Sequence, residues 1–323
     1  MNDPLVSVVI PVYNCSEYVR ECIESVLAQD HRNIEVLVID DGSDDGSAEL
    51  CRSLAEKDPR VTAHVREHGG VSSARNYGIR LAAGELITFV DADDYVEPQH
   101  ISALVSAMLG QNADCAVSGY FLDLRGRSEK RVFCGIKTMG AHPAVLNMLD
   151  TTLYQGFLCN KLFRKSIIDN ARLSLREDIF YCEDLLFCAE YFSNCSRVCC
   201  VEQAYYHYRR RKGSAANSTL VSRMLTGVKA IEACGELFRD DSEISALAKA
   251  RAQTERAGIF RRAYISGEDK HTLSKLKREM RTNKKAVLRS TLSIKEKIKY
   301  LSTCLFPRTA SRLWVSRENR HLQ

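Results

Sequence analysis

The stretch Leu86-Ile87-Thr88-Phe89-Val90-Asp91-Ala92-Asp93-Asp94 decides how this 323-residue chain folds. Leu86 to Val90 is a short run of apolar and β-branched side chains, the pattern of a strand buried on both faces of a parallel sheet. It runs straight into three carboxylates. Upstream, Val6 to Val12 and Ile34 to Ile39 repeat the pattern, the second run ending at Asp40-Asp41-Gly42. Between them Val19, Cys22, Ile23, Val26 and Leu27 fall on one helical stripe with Ser16 placed as N-cap, and after the second run and a polar turn Ala48, Leu50, Cys51 and Leu54 form a second stripe. Val61 to Val65 reads as a third strand, and Ser72 to Ala83 as a helix ended by Gly84. Alternation of this kind predicts an α/β fold, a doubly wound sheet with right-handed crossovers. Such sheets bind ligands at the carboxyl ends of their strands, so the fold would carry Asp41 and Asp91 into one crevice.

Past Pro98, read as a first helical residue, the pattern becomes mixed. A helix to Leu109, a strand near Cys115 to Phe121 and a helix around Ala144 to Leu149 precede a helix that opens at Glu183. Two tyrosine-rich strands, Val198 to Val201 and Tyr205 to Tyr208, lead into the basic loop Arg209 to Ser214. Everything beyond Thr219 reads as helix. This divides the chain into a domain at 1–218, with halves at 1–98 and 99–218, and a helical region at 219–323.

Composition narrows the function classes. At 45% hydrophobic and 27% charged residues the chain can bury a full core. No segment approaches the roughly 20 apolar residues that span a bilayer, and the first residues carry no secretion signal. The expectation is a cytoplasmic protein. Thirteen cysteines, an odd number, read as reduced core residues rather than disulfides. Cys195, Cys199 and Cys200 lack the spacing of a zinc site. From Lys249 onward 20 Lys/Arg stand against 6 Asp/Glu, while the remainder holds 26 against 35. An acidic body with a basic tail points to an anionic partner of the tail, phospholipid or nucleic acid, with solvated helix faces as the alternative.

The triplet at Asp91 to Asp93 would set two carboxylates on one side of an extended segment, where hard oxygen ligands can hold Mn²⁺ or Mg²⁺ against a substrate diphosphate. Acidic pairs after strands also serve as turn formers. Four segments taken together carry more: Val8-Val9-Ile10-Pro11-Val12-Tyr13-Asn14, Val38-Ile39-Asp40-Asp41-Gly42-Ser43, Gly69-Gly70-Val71-Ser72-Ser73-Ala74-Arg75-Asn76-Tyr77-Gly78, and Phe89-Val90-Asp91-Ala92-Asp93-Asp94. In order and spacing they resemble the family 2 glycosyltransferases of the GT-A fold, of the bacterial cell-surface polysaccharide type. The resemblance is strong through Pro98, thinner to about Ser214, and carries no motif beyond.

That resemblance implies a GT-A catalytic domain at 1–218, with a nucleotide-binding half and an acceptor half, and inverting transfer of a sugar from a nucleotide-diphosphate donor, by default a UDP-sugar, to a glycan or lipid-linked acceptor. Pro11 and Tyr13 would line the nucleobase pocket and Asp41 would accept a hydrogen bond from the base. Arg75 would reach the nucleotide, Asp91 would hold the ribose or a metal-bound water, and Asp93 would coordinate the cation. Asp94 would be structural, capping the segment before Pro98. Glu183-Asp184-Leu185-Leu186-Phe187 is similar to the family's ED motif, which makes Asp184 the base for the acceptor hydroxyl. Arg211 and Ser214 match the family's diphosphate-binding loop. Each residue has a plainer reading: loop formers for Pro11 and Asn14, a turn cap for Asp41, a surface ion pair for Arg75, a helix cap for Asp184. Asn160-Lys161-Leu162-Phe163-Arg164 reads as a strand edge without assigned role, and His207 as a phosphate contact or a packed ring.

In the tail, Ile294, Ile298, Leu301 and Leu305 recur at helical spacing with Lys295, Lys297 and Lys299 largely off the stripe, and Phe306 and Trp314 follow. Such a helix can lie on an anionic membrane or pack on the catalytic domain. A nucleotide-binding oxidoreductase would need G-x-G-x-x-G where Pro11-Val12-Tyr13-Asn14 stands, and no nucleic-acid module accompanies the tail. The alternative from another class is a non-catalytic module that binds or senses a nucleotide sugar.

Overall fold

The computed structural model describes residues 3–124, 126–132, 138–150, 154–210 and 220–320. The first elements alternate as the sequence reading expects: β1 (Val6–Val12), α1 (Val19–Leu27), β2 (Ile34–Asp40), α2 (Ser47–Ala55), β3 (Val61–Val65), α3 (Val71–Leu81) and β4 (Leu86–Phe89). Then come β5 (Tyr95–Val96), α4 (His100–Gly110), β6 (Cys115–Leu124), β7 (Arg127–Arg131), β8 (Thr138–Met139), α5 (Ala141–Leu149), β9 (Lys161–Arg164), α6 (Lys165–Asn170), α7 (Glu183–Phe192) and β10 (Val198–Arg209).

Among the described residues one mixed sheet runs in the order β3-β2-β1-β4-β9-β6-β10-β5, with β7 on β6 and β8 on β10. β1 pairs in parallel with both β2 and β4, which explains an apolar run broken only by the buried Ser7. Val6, Val8, Val9, Ile10 and Val12 are buried, each contributing about 1.5–3 kcal/mol relative to exposure. β3 has a partner on one side only, and of its residues Val61 alone is fully buried. At Gly78 the helix α3 approaches β1 so closely that an added Cβ would lie 2.4 Å from a methyl of Val9.

Several expectations need correction. Ser16 does not cap α1: the helix opens through a backbone turn, Tyr18 and Val19 N–H donating to Cys15 O, while Ser16 N–H donates to Asp45 Oδ2 at 2.9 Å. Pro98 is not a helical residue, for α4 begins at His100 and the side chain of Gln29 accepts from Ile101 N–H at 2.9 Å, satisfying a first-turn donor from outside. The two tyrosine-rich strands are one, β10, with register shifts between Val201 and Ala204 and between Ala204 and Tyr206. Lys161 to Arg164 is no sheet edge but lies between β4 and β6, antiparallel to both. Its lysine tolerates burial because Nζ donates to Phe157 O at 2.5 Å and to Asn160 Oδ1 at 3.1 Å.

The chain forms two compact units. The first comprises Met1–Ala144, Phe157–Glu177 and Tyr191–Arg211 and contains the sheet. The second comprises Val145–Gly156, Asp178–Glu190 and Lys212–Gln323, so the C-terminal region is joined there by two earlier segments, the second of which carries Asp184. Its helices are α8 (Val221–Leu237), α9 (Ser242–Ser266), α10 (Lys270–Glu279), α11 (Lys284–Arg289), α12 (Ile294–Leu305) and α13 (Pro307–Arg320). All the others pack on α9. That helix is capped at its start by Asp241, which accepts from Glu243 and Ile244 N–H, and stopped by Gly267 at φ +81°. The twelve described cysteines are free thiols, ten of them buried and Cys182 and Cys195 half-buried. No helix among the described residues is long and apolar enough to cross a membrane.

Candidate active site

The parallel register Val12↔Asp40 and Val9↔Phe89 sets the carboxyl ends of β1, β2 and β4 side by side. Asp41, just past β2, is buried. Its carboxylate accepts from Gly69 N–H through both oxygens, 3.1 Å each, and from Gly70 N–H at 2.7 Å, at the amino end of α3 where the helix dipole favours an anion. Gly70 sits at φ +89°, a conformation costly for any side chain. His68 Nδ1 lies 2.9 Å from Asp41 Oδ2 and Arg66 Nε 3.6 Å from Oδ1. Asp41 thus fixes the loop Arg66 to Gly70, whose His68 ring stacks on the half-exposed Tyr13 at 4.2 Å. Pro11 is buried within β1 opposite Ile39. His68 escaped the sequence reading; its signal was an aromatic ring directly before the glycine pair that opens α3.

The acidic segment after β4 is a turn, not extended chain, with Asp94 N–H donating to Asp91 O at 2.9 Å. From α3 the buried Arg75 donates through Nη2 to Asp91 Oδ1 at 2.7 Å. Tyr206 of β10 binds both ends of the turn: its hydroxyl accepts from Asp91 N–H at 3.2 Å and donates to Asp94 Oδ2 at 2.5 Å. Asp94 Oδ1 accepts from Arg209 N–H at 2.7 Å. Asp94 therefore does not cap the segment before Pro98; it ties the acidic turn to the end of β10. Burial, and then the charges of Asp91 and Asp93, push its carboxyl well above the usual carboxylate range, against the hydrogen bonds from Tyr206 and Arg209.

His207 is the packed ring rather than an exposed contact. It stacks between Tyr95 at 4.2 Å and Phe121 at 4.5 Å, with Nδ1 3.0 Å from Asp123 Oδ2 and Nε2 3.3 Å from Glu97 Oε1. Burial raises the Asp123 carboxyl, but hydrogen bonds from Ser128, His207 and Tyr95 outweigh it and leave the group below its ordinary value. The Arg209 guanidinium pairs with Glu21 Oε1 at 2.6 Å and lies 4.3 Å over the Tyr95 ring. Arg211 and Ser214 lie outside the described residues. Asp184 occupies the first turn of α7, preceded by Cys182 at φ +60°, and accepts from Leu185 N–H at 2.7 Å.

The family model described as Glycosyl transferase family 2 matches residues 7–171, more than half of the chain. The chain belongs to glycosyl transferase family 2. A similar curated relative is the uncharacterized glycosyltransferase EpsJ of Bacillus subtilis (strain 168), 31% identical over 218 residues, 65% of this chain and 62% of EpsJ. The chain spans 62% or less of the length of the curated relatives it matches. Among solved structures, S. aureus TarS 1-349 in complex with UDP-GlcNAc superposes at a TM-score of 0.67 with 19% identity, covering 98% of this chain and 92% of TarS 1-349. The mannosyltransferase PcManGT of Pyrobaculum calidifontis, in complex with GDP-Man and Mn²⁺, gives 0.56 at 16% identity, covering 94% and 88%. The fold is thus of the GT-A type, with a helical C-terminal region.

Within the family 2 match fall Pro11, Tyr13, Asp41, Arg75, Asp91 and Asp93; Asp184, Arg211 and Ser214 lie beyond its end. Among the described residues no group of three or more His, Cys, Asp or Glu could hold a metal ion unaided. The acidic turn nonetheless fits one that arrives with a ligand. Asp91 and Asp93 are hard oxygen donors, neither fully buried, and their charges already strain Asp94. A site of one or two carboxylates completed by water and substrate phosphates is the ordinary arrangement for Mg²⁺ beside a diphosphate.

Proposed function

We propose that the chain is an inverting, metal-dependent glycosyltransferase that moves a sugar from a nucleotide-diphosphate donor, UDP-sugar by default, to a hydroxyl of a glycan or lipid-linked acceptor in cell-surface polysaccharide synthesis. The observation that carries this reading is the gathering of Tyr13, the Asp41-held loop, the Arg75–Asp91 pair and Asp93 at the carboxyl ends of three adjacent strands in a family 2 chain. The UDP-GlcNAc in the TarS complex and the GDP-Man and Mn²⁺ in the PcManGT complex support it by likeness of fold.

In this reading the nucleobase rests beside the Tyr13–His68 stack. Asp93, with Asp91 oriented by Arg75, would hold Mn²⁺ or Mg²⁺. When bound, such a cation stabilises the negative charge that gathers on the departing diphosphate. Asp91 would position the ribose or a water beside that cation, and Arg211 and Ser214 would contact the diphosphate. Asp184 takes the proton from the acceptor hydroxyl as that oxygen attacks the anomeric carbon, and a single displacement inverts its configuration. A lipid-linked acceptor would bring the enzyme to the cytoplasmic face of a membrane.

Donor consumption with and without Mn²⁺ tests the reading. Asp93→Asn should abolish turnover together with the metal response. Asp184→Asn should keep donor affinity while lowering kcat about 10²-fold or more, the scale of a lost general base. Near-normal kcat in Asp184→Asn removes the base assignment, and metal-independent turnover in the parent chain removes the cation from the reaction.

A further inference from the structure

The structure turns the apolar stripe of α12 outward. The helix packs into the second unit through Tyr300, Thr303 and Cys304, all buried, the Tyr300 hydroxyl donating to Met280 O at 2.6 Å. Successive residues advance 100° around a helix of 3.6 residues per turn, so Ile294, Ile298, Leu301 and Leu305 share the opposite face. Ile294 is 77% exposed, Ile298 53% and Leu305 63%, and Phe306, at the end of the helix, 66%. The same spacing sets Lys295 and Lys299 on one flank of that stripe and Lys297, whose ammonium also donates to Ser290 O at 2.6 Å, on the other, while the helix's acidic residue, Glu296, faces away from it, its N–H held by Ser293. α13 follows at once with Arg308 and Arg312 one turn apart. Together with Thr309 and Tyr264 these two line an open cleft of about 310 Å³, and neither forms an ion pair with a described residue.

We propose that α12 and the start of α13 dock this unit on an anionic lipid bilayer, the stripe sinking into the acyl boundary and the lysines and arginines meeting lipid phosphates. Charge chooses this occupant. A second copy meeting the stripe about a two-fold axis would bring each lysine flank against lysines, whereas an anionic surface answers both flanks. The excess of 20 Lys/Arg over 6 Asp/Glu from Lys249 onward adds long-range attraction of the same sign. Apolar stripe and basic flanks on one exposed helix are what interfacial helices require. The proposal deepens the reading of a lipid-linked acceptor, but it is tested without donor or acceptor, so vesicle binding and transfer can fail independently.

The test is co-sedimentation of the full chain with phosphatidylcholine vesicles and with vesicles in which part of the lipid is phosphatidylglycerol. Binding should require the anionic lipid and weaken in high salt. The double variant Ile298→Glu/Leu305→Glu should abolish it. Lys295→Glu/Arg308→Glu should lower the partition coefficient about tenfold or more, with unchanged thermal unfolding as the control for folding. Equal binding to neutral and anionic vesicles overturns the proposal, as does binding that survives Ile298→Glu/Leu305→Glu. A concentration-dependent dimer lost in that variant, without vesicle binding in the parent, assigns the stripe to a second copy instead.

Discussion

His100 is buried against Tyr206, and neither of its ring nitrogens has a hydrogen-bond partner among the described residues. Burial holds its pKa down to about 3, against an ordinary 6.5. Between these values the unfolded chain binds a proton that the folded chain refuses, so stability falls as pH drops from 6.5 toward 3 by about 1.4 kcal/mol per pH unit. His100→Leu should remove that slope. It should also stabilise the protein at neutral pH by about 1 kcal/mol or more, since two unsatisfied polar atoms leave the core. Urea unfolding of both proteins at pH 7 and pH 5 measures both effects. The contrast with Asp94 is instructive: that buried carboxyl is held by Tyr206 and Arg209 and joins strands far apart in the chain. The motif residues Asp91, Asp93 and Arg75 were legible because they follow a strand or open a helix locally. Tyr206 was not, because its partner Asp94 lies 112 positions away and only the sheet order brings them together.

Elements with parallel neighbours on both sides were the easiest to read. Two buried faces write a nearly continuous apolar run, as in β1; Val61–Val65 was also legible to the residue, although β3 has a neighbour on one side only. β9 was opaque because Lys161 and Arg164 bear charges that pattern-reading assigns to an edge, while the structure meets Lys161 with a carbonyl and an amide oxygen. β10 split in the reading because its register slips obscure the alternation. The start of α7 depends on one close approach: a Cβ on Gly156 would lie 2.6 Å from the Leu185 Cα. Backbone cannot yield as a flexible side chain does. Gly156→Ala should therefore cost about 1–3 kcal/mol of stability and shift the turn that carries Asp184. If Asp184 is the base, kcat should fall while donor affinity, measured by titration calorimetry, stays unchanged; an unchanged kcat would detach that turn from the chemistry.

At the scale of the whole molecule, ligand linkage offers a test that needs no acceptor. A ligand that binds the folded chain alone stabilises it by about 2.7 kcal/mol at a hundredfold excess over its Kd. UDP with Mn²⁺ should raise the Tm, chelation of the metal should reverse most of the rise, and Asp93→Asn should be blind to Mn²⁺. A panel of nucleotide diphosphates read the same way ranks the donor base. The buried thiols have a consequence of their own. With ten of the twelve described cysteines sealed inside the two units, an alkylating reagent can reach most sulfur atoms only when the chain opens. Cysteines thus act as an internal clock of breathing motions: Cys195 would be modified first, Cys182 more slowly because burial pushes its thiol well above the ordinary range, and the remainder in step with cooperative opening. A strong reductant, having no disulfide to break among the described residues, should leave the shape of the protein untouched.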